Sequence, residues 1–138
     1  MKRRIFIVIM ALVLFLGAAG CGGQAPEHLY NHASIHEIYG KDKATVVSTC
    51  AYAKVDSKYC TEEKINDWYF NYIKENNVVI GVIEYADQDG TGIYCMGNMV
   101  YVGCQIVKHK SNGLYTAGDV SKATLYQQKG ENLVPLKF

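Results

Sequence analysis

The sequence predicts an α+β domain: a mostly antiparallel sheet of five to six strands with one amphipathic helix, residues 62–75, packed on a face. Two observations lead to this class. Segments rich in β-branched and aromatic residues alternate with turn-forming residues through most of the chain. Only one stretch carries apolar residues at the three- and four-residue spacing of a surface helix. The length suits one core, so we expect residues 28–138 to form a single domain.

The first predicted elements are a short helix and a strand. Residues 28–39 can make about three helical turns, which Gly40 would end as a C-terminal cap. Residues 44–53 are rich in β-branched side chains and predict a strand. Both faces of this strand carry small or apolar side chains, so we expect it in the interior of the sheet.

Residues 62–75 carry the strongest local signal in the chain. Thr61 is a good N-cap, and Glu62 and Glu63 stand where the helix dipole favours negative charge. The apolar stripe consists of Ile65, Trp68, Tyr69, Tyr72 and Ile73. We therefore predict that this stripe, with Trp68 in its middle, packs on the sheet.

Five strands are predicted after the helix, at residues 78–86, 93–96, 99–108, 122–128 and 132–137, the last two as a hairpin. Strict alternation in the third of them would place four side chains on one face: Val100, Val102, Cys104 and Ile106. The helix between the strands at 44–53 and 78–86 also permits one parallel crossover.

The N-terminus has the residue order of a secretory signal. Lys2, Arg3 and Arg4 precede twelve apolar residues, 5–16, and four small residues, 17–20. The apolar run is too short for a membrane-spanning helix, which needs about 20 residues. We therefore expect residues 1–20 to be a signal peptide that is removed on export.

The junction at residues 18–21, Ala-Ala-Gly-Cys, resembles the lipobox of bacterial lipoproteins, with Ala18 where Leu is usual. The resemblance covers the export signal alone. It implies cleavage before Cys21 and a diacylglycerol on its sulfur. Residues 21–27 would then be the lipidated cysteine and a short tether, with the domain at the cell membrane facing the periplasm or the exterior. Because Gly22 stands where Asp would retain the protein, the resemblance implies the outer membrane in a cell with two membranes.

The five cysteines are an awkward number for an oxidising compartment, but lipidation of Cys21 leaves an even set: Cys50, Cys60, Cys95 and Cys104. An even set outside the cytoplasm predicts two disulfides, for which three pairings are possible. Proximity in sequence favours Cys50–Cys60 with Cys95–Cys104. Each of these bridges would close a loop of about ten residues.

Three histidines, His28, His32 and His36, recur every four residues in the predicted N-terminal helix. On a helix their rings would line one face, and two neighbouring imidazoles could chelate a transition metal. Glu27 or Glu37 could add a ligand for zinc. The alternative is an exposed segment that holds three histidines without binding a metal, and no other motif predicts a cofactor.

A further pattern combines Cys60, just before the predicted helix, with His109 after a strand. A helix N-terminus can lower a thiol pKa, and this order is similar to that of cysteine peptidases that cut bacterial cell-wall peptides. The sequence around the cysteine, Tyr-Cys-Thr-Glu at 59–62, departs from the Asp-Cys-Ser-Gly motif of that family. The alternative is that Cys60 is a half-cystine.

The net charge and the absence of known catalytic motifs argue against several classes of function. Without the signal peptide, eleven basic residues stand against thirteen acidic ones, which argues against nucleic-acid binding. No hydrolase elbow, phosphate loop or metalloprotease motif occurs. We therefore expect a lipid-anchored, non-enzymatic binding or accessory domain whose partner is a protein or an envelope polymer. Some tyrosines outside the helix are expected to contact that partner: Tyr85, Tyr94, Tyr101, Tyr115 and Tyr126.

Overall fold

Eight strands form one sheet in the computed structural model, which describes residues 25–136. The strands are β1 (Ser34–Tyr39), β2 (Val46–Val55), β3 (Ile80–Tyr85), β4 (Thr91–Met96), β5 (Met99–Lys108), β6 (Tyr115–Ala117), β7 (Thr124–Lys129) and β8 (Asn132–Pro135). Their order is β1-β2-β3-β4-β5-β7-β8, with β6 paired to β5. All neighbours are antiparallel except β2 and β3. The predicted α+β class is therefore confirmed, with a larger sheet than the five to six strands expected.

The predicted signal peptide, residues 1–20, and the predicted lipidation site, Cys21, lie outside the described residues. The predicted tether is described from Ala25 onward. Between residues 25 and 136, no helix has the length and apolar character needed to cross a membrane.

The helix begins where the sequence predicts. α1 (Glu62–Trp68) is capped by Thr61, whose side chain accepts a hydrogen bond from the backbone N–H of Lys64 at 3.3 Å. It continues as a π-helical turn over Tyr69–Lys74, and the chain then turns at Asn77, whose φ is +53°. The predicted helix at 62–75 is confirmed, and β2 and β3 on either side of it run parallel, as the crossover allows.

The helical segment packs on one side of the sheet, which we name the helix face. Its buried sheet residues are Ala51, Ala53, Ile83, Tyr85, Ile93, Cys95 and Val100. They contact the buried part of the helix stripe, namely Ile65, Trp68, Tyr69 and Ile73. Trp68 is only 1% exposed, so the predicted packing of the stripe is confirmed. Each large apolar side chain buried here stabilises the fold by about 1.5–3 kcal/mol.

The opposite side, which we name the far face, has a core of its own. Its buried residues are Ile38, Cys50, Ile80, Val82, Tyr94, Cys104, Ile106 and Tyr115. Tyr115 of β6 stacks on Tyr52 of β2, with ring centroids 5.3 Å apart. Because β2 and β6 are not neighbours in the strand order, the sheet must curl to bring these rings together.

A bulge at Gly103 makes the far-face core possible. Pairing between β4 and β5 skips one residue of β5 at this point. Gly103 has a φ of +86°, which glycine adopts readily. The extra residue reverses the alternation, so that Val100 and Val102 contact the helix-face core while Cys104 and Ile106 lie in the far-face core. The prediction that these four side chains share one face is therefore wrong.

The predicted N-terminal helix at 28–39 is also wrong. Residues 28–32 form turns, and β1 follows as an edge strand antiparallel to β2. The apolar residues of this segment form no helical stripe, whereas Ile38 in the strand is 1% exposed and reaches the far-face core. Strand pairing thus overrides a weak local preference for helix.

Candidate functional site

A cleft of about 660 Å³ opens at the end of the sheet where β3 finishes. We name it the loop cleft, and it is lined by Ser57, Tyr85, Gln88, Thr91, Gly103, Gln105, Asp119 and Lys122. Its walls are the turn before α1, the β3–β4 turn, the outer half of β5 and the loop between β6 and β7. The volume lies within the range of about 300–1,000 Å³ that is usual for small-molecule sites.

One wall of the loop cleft is built around Asp87 in the β3–β4 turn. Its carboxylate accepts hydrogen bonds from the backbone N–H of Ser57 at 2.8 Å and from the Ser57 hydroxyl at 2.7 Å. These bonds hold the pKa of Asp87 below its usual value. Gln88 Nε2 donates to the same hydroxyl at 3.4 Å. The turn and the segment before α1 are therefore held together by a charged residue that does not itself line the cleft.

The other wall joins β5 to the loop before β7. The Gln105 N–H donates to Asp119 O at 3.0 Å, and the Gln105 side-chain oxygen accepts from the Asp119 N–H at 3.0 Å. Gly118 lies so close to the Gln105 side chain that a Cβ at position 118 would collide with it. The backbone N–H and side chain of Ser121 lower the pKa of Asp119, so its carboxylate is charged at neutral pH.

The lining of the loop cleft is chemically mixed, with polar groups spread among apolar surface. It includes two hydroxyls, two amides, one carboxylate and one ammonium, from Ser57, Thr91, Gln88, Gln105, Asp119 and Lys122. These side chains can donate hydrogen bonds to, and accept hydrogen bonds from, a ligand that is rich in hydroxyl and amide groups. Tyr85 is 7% exposed, so it offers the cleft little aromatic surface. Neither cysteine nor histidine lines the cleft, so its lining has no thiol–imidazole pair.

The three histidines of the predicted metal site do not come together on a helix. His28 and His32 lie in turns, and His36 is exposed on β1. His28 Nδ1 is 2.6 Å from Oδ2 of Asp67, and its ring stacks on Tyr30. The helical arrangement on which the site depended is therefore wrong. Among residues 25–136, no group of three His, Cys, Asp or Glu side chains is placed to hold a metal ion.

Asp67 is the residue that fixes His28, and the sequence alone did not mark it. Its carboxylate also accepts from Asn71 Nδ2 at 2.7 Å and from the Tyr30 hydroxyl at 3.4 Å. Burial acts to raise the pKa of Asp67, but the hydrogen bonds from Asn71 and His28 outweigh it and lower the pKa. The pair therefore ties the chain just after the tether to the helix.

The sheet separates the cysteines that the sequence favours as disulfide partners. Cys50 and Cys104 lie in the far-face core, while Cys95 lies in the helix-face core and Cys60 packs against it. All four are free thiols in the structure. The favoured pairing of Cys50 with Cys60 and of Cys95 with Cys104 is therefore wrong. Burial raises the pKa of Cys95 to about 12 and that of the other three to about 11.

Cys60 and His109 do not contact each other through a hydrogen bond. The Cys60 thiol donates to Asp56 O at 3.7 Å, and burial, followed by the charges of Asp87 and Asp56, raises its pKa. The His109 ring pairs with the Thr116 hydroxyl at 2.9 Å. The helix N-terminus therefore does not activate this thiol, and the geometry does not favour the cysteine peptidase arrangement.

The tyrosines proposed for a partner surface are mostly structural. Tyr85, Tyr94 and Tyr115 are less than 10% exposed, and Tyr101 and Tyr126 are half-buried.

The sequence does not predict the loop cleft, because its lining comes from four separate segments. The sequence signal nearest to the cleft is the turn composition of residues 87–92. This turn carries Asp87, which accepts the hydrogen bond from the Ser57 N–H. Comparison of the chain with protein-family models, with curated proteins and with solved structures gave no match.

Proposed function

We propose that this chain is a membrane-anchored envelope lipoprotein whose domain binds a hydrophilic envelope polymer in the loop cleft and does not turn it over. The observation that carries the binding proposal is a cleft of about 660 Å³ with mixed polar groups on walls that are tied together. Preformed walls favour binding, since little conformational entropy is lost when a ligand enters.

The chemistry of the lining supports a polymer rather than an apolar peptide. Hydroxyl and amide side chains can exchange hydrogen bonds with the hydroxyl and N-acyl groups of a glycan. Asp119 and Lys122 bring one charge of each sign, which suits a ligand that carries both or neither. An apolar peptide would need a hydrophobic groove, and Tyr85 is nearly covered.

The start of the domain supports a short tether. Lys64 Nζ donates to Pro26 O at 2.8 Å and to Glu27 O at 3.0 Å, and Leu29 is 1% exposed. The chain is thus held to the helix from Pro26 onward. Between a lipid on Cys21 and Ala25 the backbone can reach about 14 Å, so the domain would stay close to the bilayer.

Co-sedimentation of the full chain with purified cell-wall sacculi tests the proposal. The double variant Thr91→Ala/Lys122→Ala removes two polar side chains that line the cleft and make no hydrogen bond within the described residues, and binding should fall at least tenfold. Lys129→Ala is the matched control, because it removes an exposed lysine from the opposite end of β7. Absent binding, or binding that the double variant retains in full, would contradict the cleft proposal. Released sugar or peptide would contradict the non-enzymatic part.

A further inference from the structure

We propose that two copies of this chain pair antiparallel along β1, about a two-fold axis at His36, to form one continuous sheet. This pairing uses no residue of the loop cleft. It is carried by the open edge of β1, by the exposed apolar side chains beside it and by the side of the sheet from which the N-terminus leaves.

The first observation is that, among residues 25–136, β1 is an edge strand with little protection. β1 is the first strand in the order and has six residues, Ser-Ile-His-Glu-Ile-Tyr, with neither proline nor lysine. Its pairing with β2 is regular up to Ile38, and a bulge comes only at the last pair. The opposite edge, β8, has four residues and ends at Pro135. Proteins usually shield a long regular edge with charge, proline or a bulge, and β1 has little of this.

The second observation is where the exposed apolar side chains lie. In the described part of the chain, seven large hydrophobic residues are exposed, and four of them are on β1 or the start of β2. These four are Ile35, Tyr39, Val46 and Val47, at 43%, 44%, 43% and 61% exposure. A concentration of apolar side chains beside a free strand edge marks a protein-protein contact.

The position of the N-terminus favours a second copy as the occupant. Antiparallel pairing of two identical edges requires a two-fold axis perpendicular to the sheet, so both helix faces lie on the same side of the joined sheet. The contacts of Lys64 with Pro26 and Glu27 place the start of the domain on that helix side. Both lipid anchors would then reach one membrane. This step rests on the proposed anchor, and confinement to a membrane would in turn raise the effective concentration for pairing.

Symmetry and charge select the register. Directly opposite residues in an antiparallel pair point to the same face, so the axis must pass beside one residue that faces its own copy. The two central residues of β1 are His36 and Glu37, which gives two possible centres. A centre at Glu37 would set two carboxylates directly opposite each other, which is destabilising. A centre at His36 places Ile35 opposite Glu37 of the second copy and sets the two His36 rings opposite each other, so no two carboxylates face each other across the axis.

Disulfide trapping of the full chain in its membranes tests the pairing. His36→Cys is made together with Cys50→Ala, because Cys50 is the cross-strand neighbour of His36 and could capture the new thiol. After mild oxidation, at least half of the chain should run as a dimer on a non-reducing gel. Glu37→Cys in the same background is the matched control. In this register each residue 37 lies opposite Ile35 of the other copy, so the two introduced thiols are offset along the strands. Their Cα atoms are then farther apart than the separation of about 7 Å that a disulfide tolerates.

The outcomes distinguish failure of the pairing from failure of the anchor. A membrane-bound His36→Cys chain that stays monomeric overturns the pairing and leaves the anchor standing. Dimer in a soluble fraction supports the pairing and contradicts the anchor. Crosslinking at Glu37 rather than His36 overturns the register. The chain with Cys50→Ala alone must stay monomeric, since a dimer there would mean that a native thiol is responsible.

Discussion

Gly81 of β3 lies directly beneath the indole of Trp68: a Cβ on Gly81 would stand 2.8 Å from Trp68 Cζ2. The same atom would be 2.7 Å from Ile73 Cδ1 and 2.7 Å from Cys95 Sγ. Such distances are shorter than packed carbon atoms allow. The missing side chain at position 81 therefore sets how closely the helix approaches the sheet.

Gly81→Ala should lower the free energy of unfolding by about 1–3 kcal/mol, because the added methyl forces the helix outward. Urea denaturation of the purified chain measures this. Ile73→Val removes the Cδ1 atom that the new methyl meets, so the double variant should lose less stability than the sum of the two single losses. Strictly additive losses would show that the helix does not rest on Gly81.

Trp68→Ala should cost about 3–5 kcal/mol, since a nearly covered indole in the helix-face core would leave a cavity. The change in melting temperature gives the readout. Val79→Ala is the control, because Val79 is 48% exposed and a surface change of this kind is expected to stay within about 0.5 kcal/mol. An unchanged melting temperature for Trp68→Ala would mean that the helix stripe points to solvent.

Gly103→Ala should destabilise the bulge in β5 by about 1–2 kcal/mol, because an L-residue is strained at a φ of +86°. No atom lies within 4 Å of the added Cβ, so crowding plays no part. Gly103→Asn should therefore cost less than Gly103→Ala, although asparagine is larger, since asparagine tolerates the left-handed region. The reverse order in urea denaturation would indicate a steric cause and contradict the strained bulge.

The buried thiols predict a loss of stability in alkali. In the folded chain burial raises the pKa of Cys50 and Cys104 to about 11, above the ordinary value of 9.0. In the unfolded chain the same thiols ionise at the lower pH. Their contribution to stability is therefore complete below about pH 9 and is lost as the pH rises to about 11. Urea midpoints at pH 8 and pH 10 should show a fall, and Cys50→Ala should reduce that fall; an equal fall in the variant would contradict the assignment.

Local signals explain what the sequence could predict. Thr61, the two glutamates after it and a regular apolar stripe all favour the same helix, and the helix forms where they indicate. The β2–helix–β3 crossover and the final hairpin follow from the same kind of local pattern. These elements are determined mainly by residues close together in sequence, so local patterns are enough to predict them.

Errors arose where distant residues decide the structure. β1 forms because residues 34–39 find the edge of β2, which no local pattern near the histidines indicates. One extra residue at Gly103 turns Cys104 to the far face, so proximity to Cys95 in sequence does not bring the two thiols together. The lining of the loop cleft comes from four segments that are distant in sequence, so no local pattern indicates it.

The proposal that the chain is a lipid-anchored envelope protein is tested most directly at Cys21. Cells that express the full chain are fed a labelled fatty acid, and the mass and the location of the protein are then measured. We expect a labelled, membrane-bound protein that starts at Cys21, and an unlabelled, uncut precursor for Cys21→Ser. A Cys21→Ser chain that is still cut and still held at the membrane would show that Cys21 does not carry a lipid anchor.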